Sequence, residues 1–94
     1  MPNRVELSAA AEEDLLEIFS WGLVQYGAPQ AQAYALVISG RLATIAAFPN
    51  SFPEDVNLQP PQRVALAGQH IILYEYESAR VLVTRILHHA EDWR

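Results

Sequence analysis

The chain has 94 residues, 51% of them hydrophobic and 18% charged, with a net charge of -5 and no cysteine. That length suits one hydrophobic core, so a single domain over residues 1–94 is expected, and the composition is not that of a disordered tail. Lack of cysteine excludes disulfides, thiolate nucleophiles and Cys-ligated metals, and six basic residues, all arginine, against eleven acids argue against a general nucleic-acid binder.

The N-terminus has neither the basic region nor the apolar run of a signal peptide, and Gly40 and Arg41 interrupt "AYALVISGRLATIAAF", the most apolar stretch. A soluble, cytoplasmic protein is expected. Arg4, Val5, Glu6 and Leu7 alternate in polarity, the period of a short half-buried strand. Ser8 can then cap a helix over about Ala9 to Tyr26, with Glu12, Glu13 and Asp14 near its positive end. The apolar stripe of this helix comprises Ala11, Leu15, Ile18, Phe19 and Tyr26, with Gly22 among them, and Gly27 supplies a left-handed stop. Glu12, Glu13, Asp14 and Glu17 read as a solvated face.

After a loop of two or three residues, Pro29 suits the first turn of a second helix. Tyr34, Ile38, Leu42, Ile45 and Phe48 mark its buried stripe, and Pro49 ends it. Residues 50–62, "NSFPEDVNLQPPQ", hold three prolines and no hydrophobic period, as in a surface loop. Three strand-like runs follow, "RVALA", "HIILYEY" and "RVLVTRILH", separated by "GQ" and "ESA", which predicts an antiparallel meander. The two longer runs do not alternate cleanly and are expected to be buried on both faces, one of them under the helical hairpin.

The chemistry-bearing residues concentrate in the closing segment "RILHHAEDWR". Arg85 lies among aliphatics, so it needs an internal salt bridge, with Glu75 or Asp92 as the expected partner, or a carboxylate from another protein. His70, His88, His89, Glu91 and Asp92 could suggest a metal, but neighbouring strand residues point to opposite faces, so no metal site and no cofactor is expected. His88 is read as capping the sheet end and His89 as exposed. Tyr74, Tyr76 and Trp93 could form an aromatic rim for a partner, or serve as core and edge plug. Metal-free RNA cleavage would need a base, an acid and several cations around a phosphate, and Arg63, Arg85, His70 and His88 are the candidates for it.

Several stretches resemble the ParE branch of the ParE/RelE toxin superfamily. "LSAAAEEDLLEIFSW" is similar to the opening "LS..A..DL..I..Y", "YGAPQAQAY" to "G...A..Y", "IAAFP" to "LA..P", "GQHIILYEY" to "G.H.I.Y", and "VTRILHHAEDW" to "I.RILH...D". The likeness covers about residues 5 to 92. In place of the usual "LRPG.R" the chain has "NLQPPQR", keeping Leu58, Pro60 and Arg63, and its tail beyond Asp92 is short.

The resemblance implies an α+β fold: an antiparallel β-sheet with an N-terminal strand, an α-helical hairpin packed on one face and a C-terminal three-stranded meander. It implies a non-enzymatic toxin of a type II toxin-antitoxin system, of the plasmid-stabilisation kind. Such a toxin inhibits DNA gyrase by binding and is neutralised by a ParD-like antitoxin with a DNA-binding N-terminal domain. Partner-binding residues are then expected at Arg63, His70, Tyr74, Arg85, His88, Asp92 and Trp93, in a hetero-oligomer with antitoxin. The same superfamily includes RelE-like ribosome-dependent mRNA endoribonucleases, so fold alone leaves that alternative open. A non-toxic, antitoxin-binding remnant is a third reading.

Overall fold

The computed structural model describes residues 2–89. The elements run β1 (Arg4–Leu7), α1 (Ala9–Tyr26), α2 (Ala28–Ala47), β2 (Glu54–Asp55), β3 (Gln62–Ala67), β4 (His70–Glu77) and β5 (Arg80–His88). They form a five-stranded sheet of order β1-β5-β4-β3-β2, with the helical hairpin on one face. The pairings are antiparallel except that β1 runs parallel to β5. The helical hairpin is the crossover that returns the chain from the first edge of the sheet to the second.

Ser8 joins β1 to α1 and uses both its backbone and its side chain to do so. Its N–H donates to Val83 O at 2.9 Å, its hydroxyl donates to Thr84 O at 2.8 Å, and the same oxygen accepts from Ala11 N–H at 3.0 Å. One cap thus fixes both the helix start and its height on β5.

The helices are joined by Gly27 alone, a tighter link than the expected two or three residues. Its N–H closes α1 on Leu23 O while its carbonyl accepts from Ala31 N–H, so a single residue serves both ends. The positive φ of +88° is what glycine permits there. At this end of α1 the predicted stripe fails: Tyr26 is 57% exposed and stands edge-on to Trp21 instead of entering the core. Phe48 also leaves its stripe. It lies one residue beyond α2, where φ of -134° ends the helical period, and is 64% exposed.

The core joins Ala11, Ile38 and Ile45 of the helices to Ala65, Ala67, Ile72, Tyr74, Val81, Val83 and Ile86 of the sheet. Ile71 to Tyr74 of β4 are all buried, as its unbroken apolar run suggested, whereas β5 alternates. A bulge makes that alternation fit. Tyr74 pairs with Val83 but Leu73 with Arg85, so Thr84 is the extra residue and the side-chain parity shifts there. Val81, Val83 and Ile86 consequently share the helix-facing side.

The segment read as a plain loop contains β2, which pairs Glu54 with Arg63 and Asp55 with Gln62 and covers the edge of β3. No helix among the described residues is long and apolar enough to cross a membrane.

Candidate functional site

The conformation of the β3–β4 hairpin depends on a tyrosine from α2. Tyr34 Oη accepts from Gln69 N–H at 2.9 Å, reaches Ala67 O at 3.3 Å and lies 2.5 Å from His70 Nδ1. Burial raises the pKa of Tyr34 above the ordinary phenol value, and the Gln69 N–H offsets part of that rise. The hydroxyl therefore stays protonated at neutral pH. Gly68 lies beneath the ring: its φ is +58°, and a Cβ added there would sit 2.7 Å from Tyr34 Cε1.

Three histidines continue from this point. His70 stands edge-on to both Tyr34 and His88, and His88 stacks on His89 with centroids 5.0 Å apart. The expectation that His88 and His89 face opposite ways is corrected. β5 ends at His88, so strand alternation no longer governs His89, whose N–H is bound to Gln69 O and whose Nε2 lies 2.6 Å from Gln69 Oε1. Nearly parallel stacked rings do not converge their nitrogens on one ion. Among the described residues no group of His, Cys, Asp or Glu side chains is arranged to hold a metal.

Arg85 pairs with Asp14, which was not among the expected partners; of those, Asp92 lies outside the described residues. Its Nε donates to Asp14 Oδ2 at 2.7 Å and its Nη2 to Asp14 Oδ1 at 3.0 Å, a bidentate pair with α1. Asp14 also accepts from Ile86 N–H at 2.9 Å, on the part of β5 that extends past the end of β1. The carboxylate thus takes the place that a longer β1 would fill. Burial pushes the Asp14 pKa up, but the Arg85 hydrogen bonds, the Ile86 N–H and the Arg85 charge together bring it below its usual value. Asp14 is accordingly removed from the solvated acidic face assigned to α1, since its side chain is 12% exposed.

At the opposite end of the sheet, Arg63 and Tyr74 secure the chain leaving α2. Arg63 Nη1 donates to Phe52 O at 2.7 Å, and Tyr74 Oη to Pro49 O at 2.6 Å. Tyr74 is fully buried against Phe52, so it is a core residue and not part of an exposed aromatic rim. Burial raises its pKa, partly countered by the Arg63 charge. Asp92 and Trp93 lie outside the described residues.

The candidate residues therefore fall into three places. Arg63 and Tyr74 are at one end of the sheet, His70 and His88 at the other, and Arg85 on the β5 edge. His70 and Tyr74 are four steps apart along β4, about 13 Å of strand. All five described arginines are engaged within the chain: Arg4 and Arg80 on Glu6, Arg41 on Leu66 O, Arg63 on Phe52 O, and Arg85 on Asp14. The arrangement does not surround a phosphate with cations.

Several large apolar side chains lie outside the core. Leu16, Trp21 and Val24 of α1 are 66%, 59% and 81% exposed, and Leu36 of α2 is 72% exposed. On α1 these residues lie among Glu12, Glu13 and Glu17, with no basic residue in the helix. The opposite sheet face adds half-buried Val64, Leu82 and Leu87 and exposed Leu66. Asp14, Tyr34 and Gln69 form these sites although the sequence pattern did not single them out for that role. Asp14 had a signal, because it is the acid in the "A..DL..I" pattern as Arg85 is the base in "RILH".

A helical hairpin laid over this strand order is the architecture of the ParE and RelE toxins. Superposition on a chain of the chromosomal ParDE toxin-antitoxin system of P. aeruginosa gives a TM-score of 0.78 at 15% identity, covering 92% of this chain and 95% of that one. For a chain of the RelBE2 toxin-antitoxin complex of Mycobacterium tuberculosis the TM-score is 0.69 at 18% identity, with 97% and 95% covered. At such identities the likeness concerns the fold. The sequence goes further: residues 5–93 match the model of the ParE toxin of the type II toxin-antitoxin system parDE. Toxin ParE1 of Caulobacter vibrioides is 31% identical over 88 residues, spanning 94% of this chain and 91% of that protein. The chain belongs to the ParE toxin family.

Proposed function

We propose that this chain is a cytoplasmic, single-domain ParE-like toxin that poisons DNA gyrase by binding, without turnover of its own, and that a cognate ParD-like antitoxin neutralises it. The observation that carries the reading is the family match along residues 5–93. The use of the arginines supports binding over RNA cleavage, since leaving-group and phosphate charge would have to be stabilised by side chains already holding Asp14, Glu6 and backbone carbonyls. An antitoxin segment with apolar and basic side chains would suit the outer face of α1, where Leu16, Trp21 and Val24 lie among glutamates. His70 and His88 at the sheet end and Arg85 at its edge remain proposed contacts, and Asp92 and Trp93 are proposed with them from the sequence alone.

The test is a gyrase supercoiling assay with the purified chain, with and without antitoxin. Inhibited supercoiling or trapped cleaved DNA, relieved by antitoxin, is the expected result. Unaffected gyrase together with messenger RNA cut in a reconstituted translation system would replace this reading by the ribonuclease one. Inactivity in both assays, with antitoxin still bound, would identify a non-toxic subunit.

A further inference from the structure

β3 begins at Gln62, and its pairing with β4 ends where Arg63 meets Tyr74, whereas β4 continues to Glu77. Alternate residues of β4 turn their backbone groups toward β3, so after Tyr74 the next to do so is Tyr76. The position opposite it is Pro61, which has no N–H to offer. Among the described residues neither Tyr76 N–H nor Tyr76 O has a backbone partner on that side. This unfilled rung opens into a recess of about 210 Å³, walled by Pro60, Pro61, Tyr74 and Tyr76. A cavity of about 150 Å³ holds a benzene ring, so there is room for the head group of a side chain.

The charge of the recess is a separate observation. Glu54 of β2 and Glu75 and Glu77 of β4 line it, and among the described residues none of the three is in an ion pair. Arg63, the one cation of the lining, directs its Nη1 to Phe52 O and Asn50 O. The other described arginines are held by Glu6, Asp14 and Leu66 O. The chain thus presents three carboxylates and a backbone carbonyl here and commits no cation to them.

We infer that this recess binds a guanidinium group, carried by an arginine side chain of another polypeptide or by a free guanidino compound. The spread of the acceptors selects it. The carboxylates come from two strands, and among the described residues no group of acidic side chains is arranged to hold a metal. A lysine ammonium is a compact point charge, whereas a guanidinium is a planar fork of five donors that reaches several separated acceptors at once. The recess is also formed in advance: Tyr74 and Tyr76 have given their hydroxyls to Pro49 O and Asn3 Oδ1, and two consecutive prolines stiffen the rim. A polypeptide gains further by pairing its own backbone with Tyr76. The inference does not depend on gyrase being the target.

Amide chemical shifts of the isotope-labelled full chain, titrated with N-acetyl-arginine amide, should move at residues 75–77 with a dissociation constant on the order of 1–10 mM. N-acetyl-lysine amide should bind at least about fivefold more weakly, since it cannot span the acceptors. A pentapeptide with arginine between alanines distinguishes the sources: tighter binding than the amide assigns a polypeptide, and equal binding a free guanidino compound. Glu75→Gln combined with Glu77→Gln should abolish the shifts, and Glu12→Gln combined with Glu13→Gln, an acidic pair on α1, should leave them unchanged. Far-UV circular dichroism verifies that each variant is folded. No shifts at 75–77 at probe concentrations of about ten times that constant overturn the inference. So does equal binding of the lysine and arginine amides, or binding that survives the loss of both β4 carboxylates, because the attraction would then be diffuse charge alone.

Discussion

Asp14 concentrates three roles in one carboxylate: it pairs with Arg85, satisfies Ile86 N–H and ties α1 to β5. Replacing it with alanine leaves a half-exposed guanidinium and an unsatisfied edge amide. A loss of about 2 kcal/mol is expected, seen as a lower urea midpoint at unchanged slope. Gly68 is the second sensitive position, where both space and backbone forbid a side chain. Gly68→Ala should cost about 2 kcal/mol, through the positive φ and the displaced Tyr34 ring. Tyr34→Phe retains the ring and loses the hydroxyl that holds Gln69 N–H, and should cost about 1 kcal/mol by the same denaturation measurement. Both predictions concern the turn that presents His70, so chemical shifts of the histidine ring protons should move with them.

Among the elements, the junction of β1 and α1 carries the most organisation for its length. Ser8 is an N-cap that also holds Thr84 O beside the β5 bulge, so Ser8→Ala removes a helix cap and a tertiary contact together. A drop of about 1–2 kcal/mol is expected, with faster amide hydrogen exchange in the first turn of α1 as the local sign. The bulge has its own consequence for the candidate site. By shifting parity at Thr84 it places Ile86 and His88 on the helix-facing side, and His88 then pairs with His70. Strict alternation along "VLVTRILH" would have sent them to the opposite face, which is why the sequence pattern alone could not assemble the histidine cluster.

The pH response belongs to the whole molecule. The Asp14 pKa is lower in the folded chain than in the unfolded one, so its contribution is complete above the ordinary carboxylate value and lost as pH falls through the folded value. Tyr34 and Tyr74 have raised values, so their contribution is complete below the ordinary phenol value and lost as pH rises through the folded values. Urea midpoints should therefore fall at both ends of the pH range. Asp14→Asn should flatten the acid limb and leave the alkaline limb in place. A wild-type acid limb unchanged by that substitution would remove Asp14 from this account.

The sequence by itself determined both helices, β1 and the three strands of the meander in their order, because hydrophobic period, Ser8 as cap, Pro29 and the turn glycines act over a few residues; β2, two residues long and defined only by its pairing with β3, it did not show. The motifs sufficed for the family, since five of them fall in order along nearly the whole chain. Tertiary structure decided what depends on residues distant in sequence meeting. Arg85 took Asp14, 71 positions away, and not Glu75, because β5 outruns β1 and leaves an edge amide for α1 to satisfy. Tyr74 became core because its strand lies in the middle of the sheet, beneath the chain leaving α2. Packing also decided which apolar residues remained outside. Leu16, Val24 and Leu36 differ little in character from their buried neighbours, and only the placement of the hairpin on the sheet distinguishes a core residue from one left for a partner.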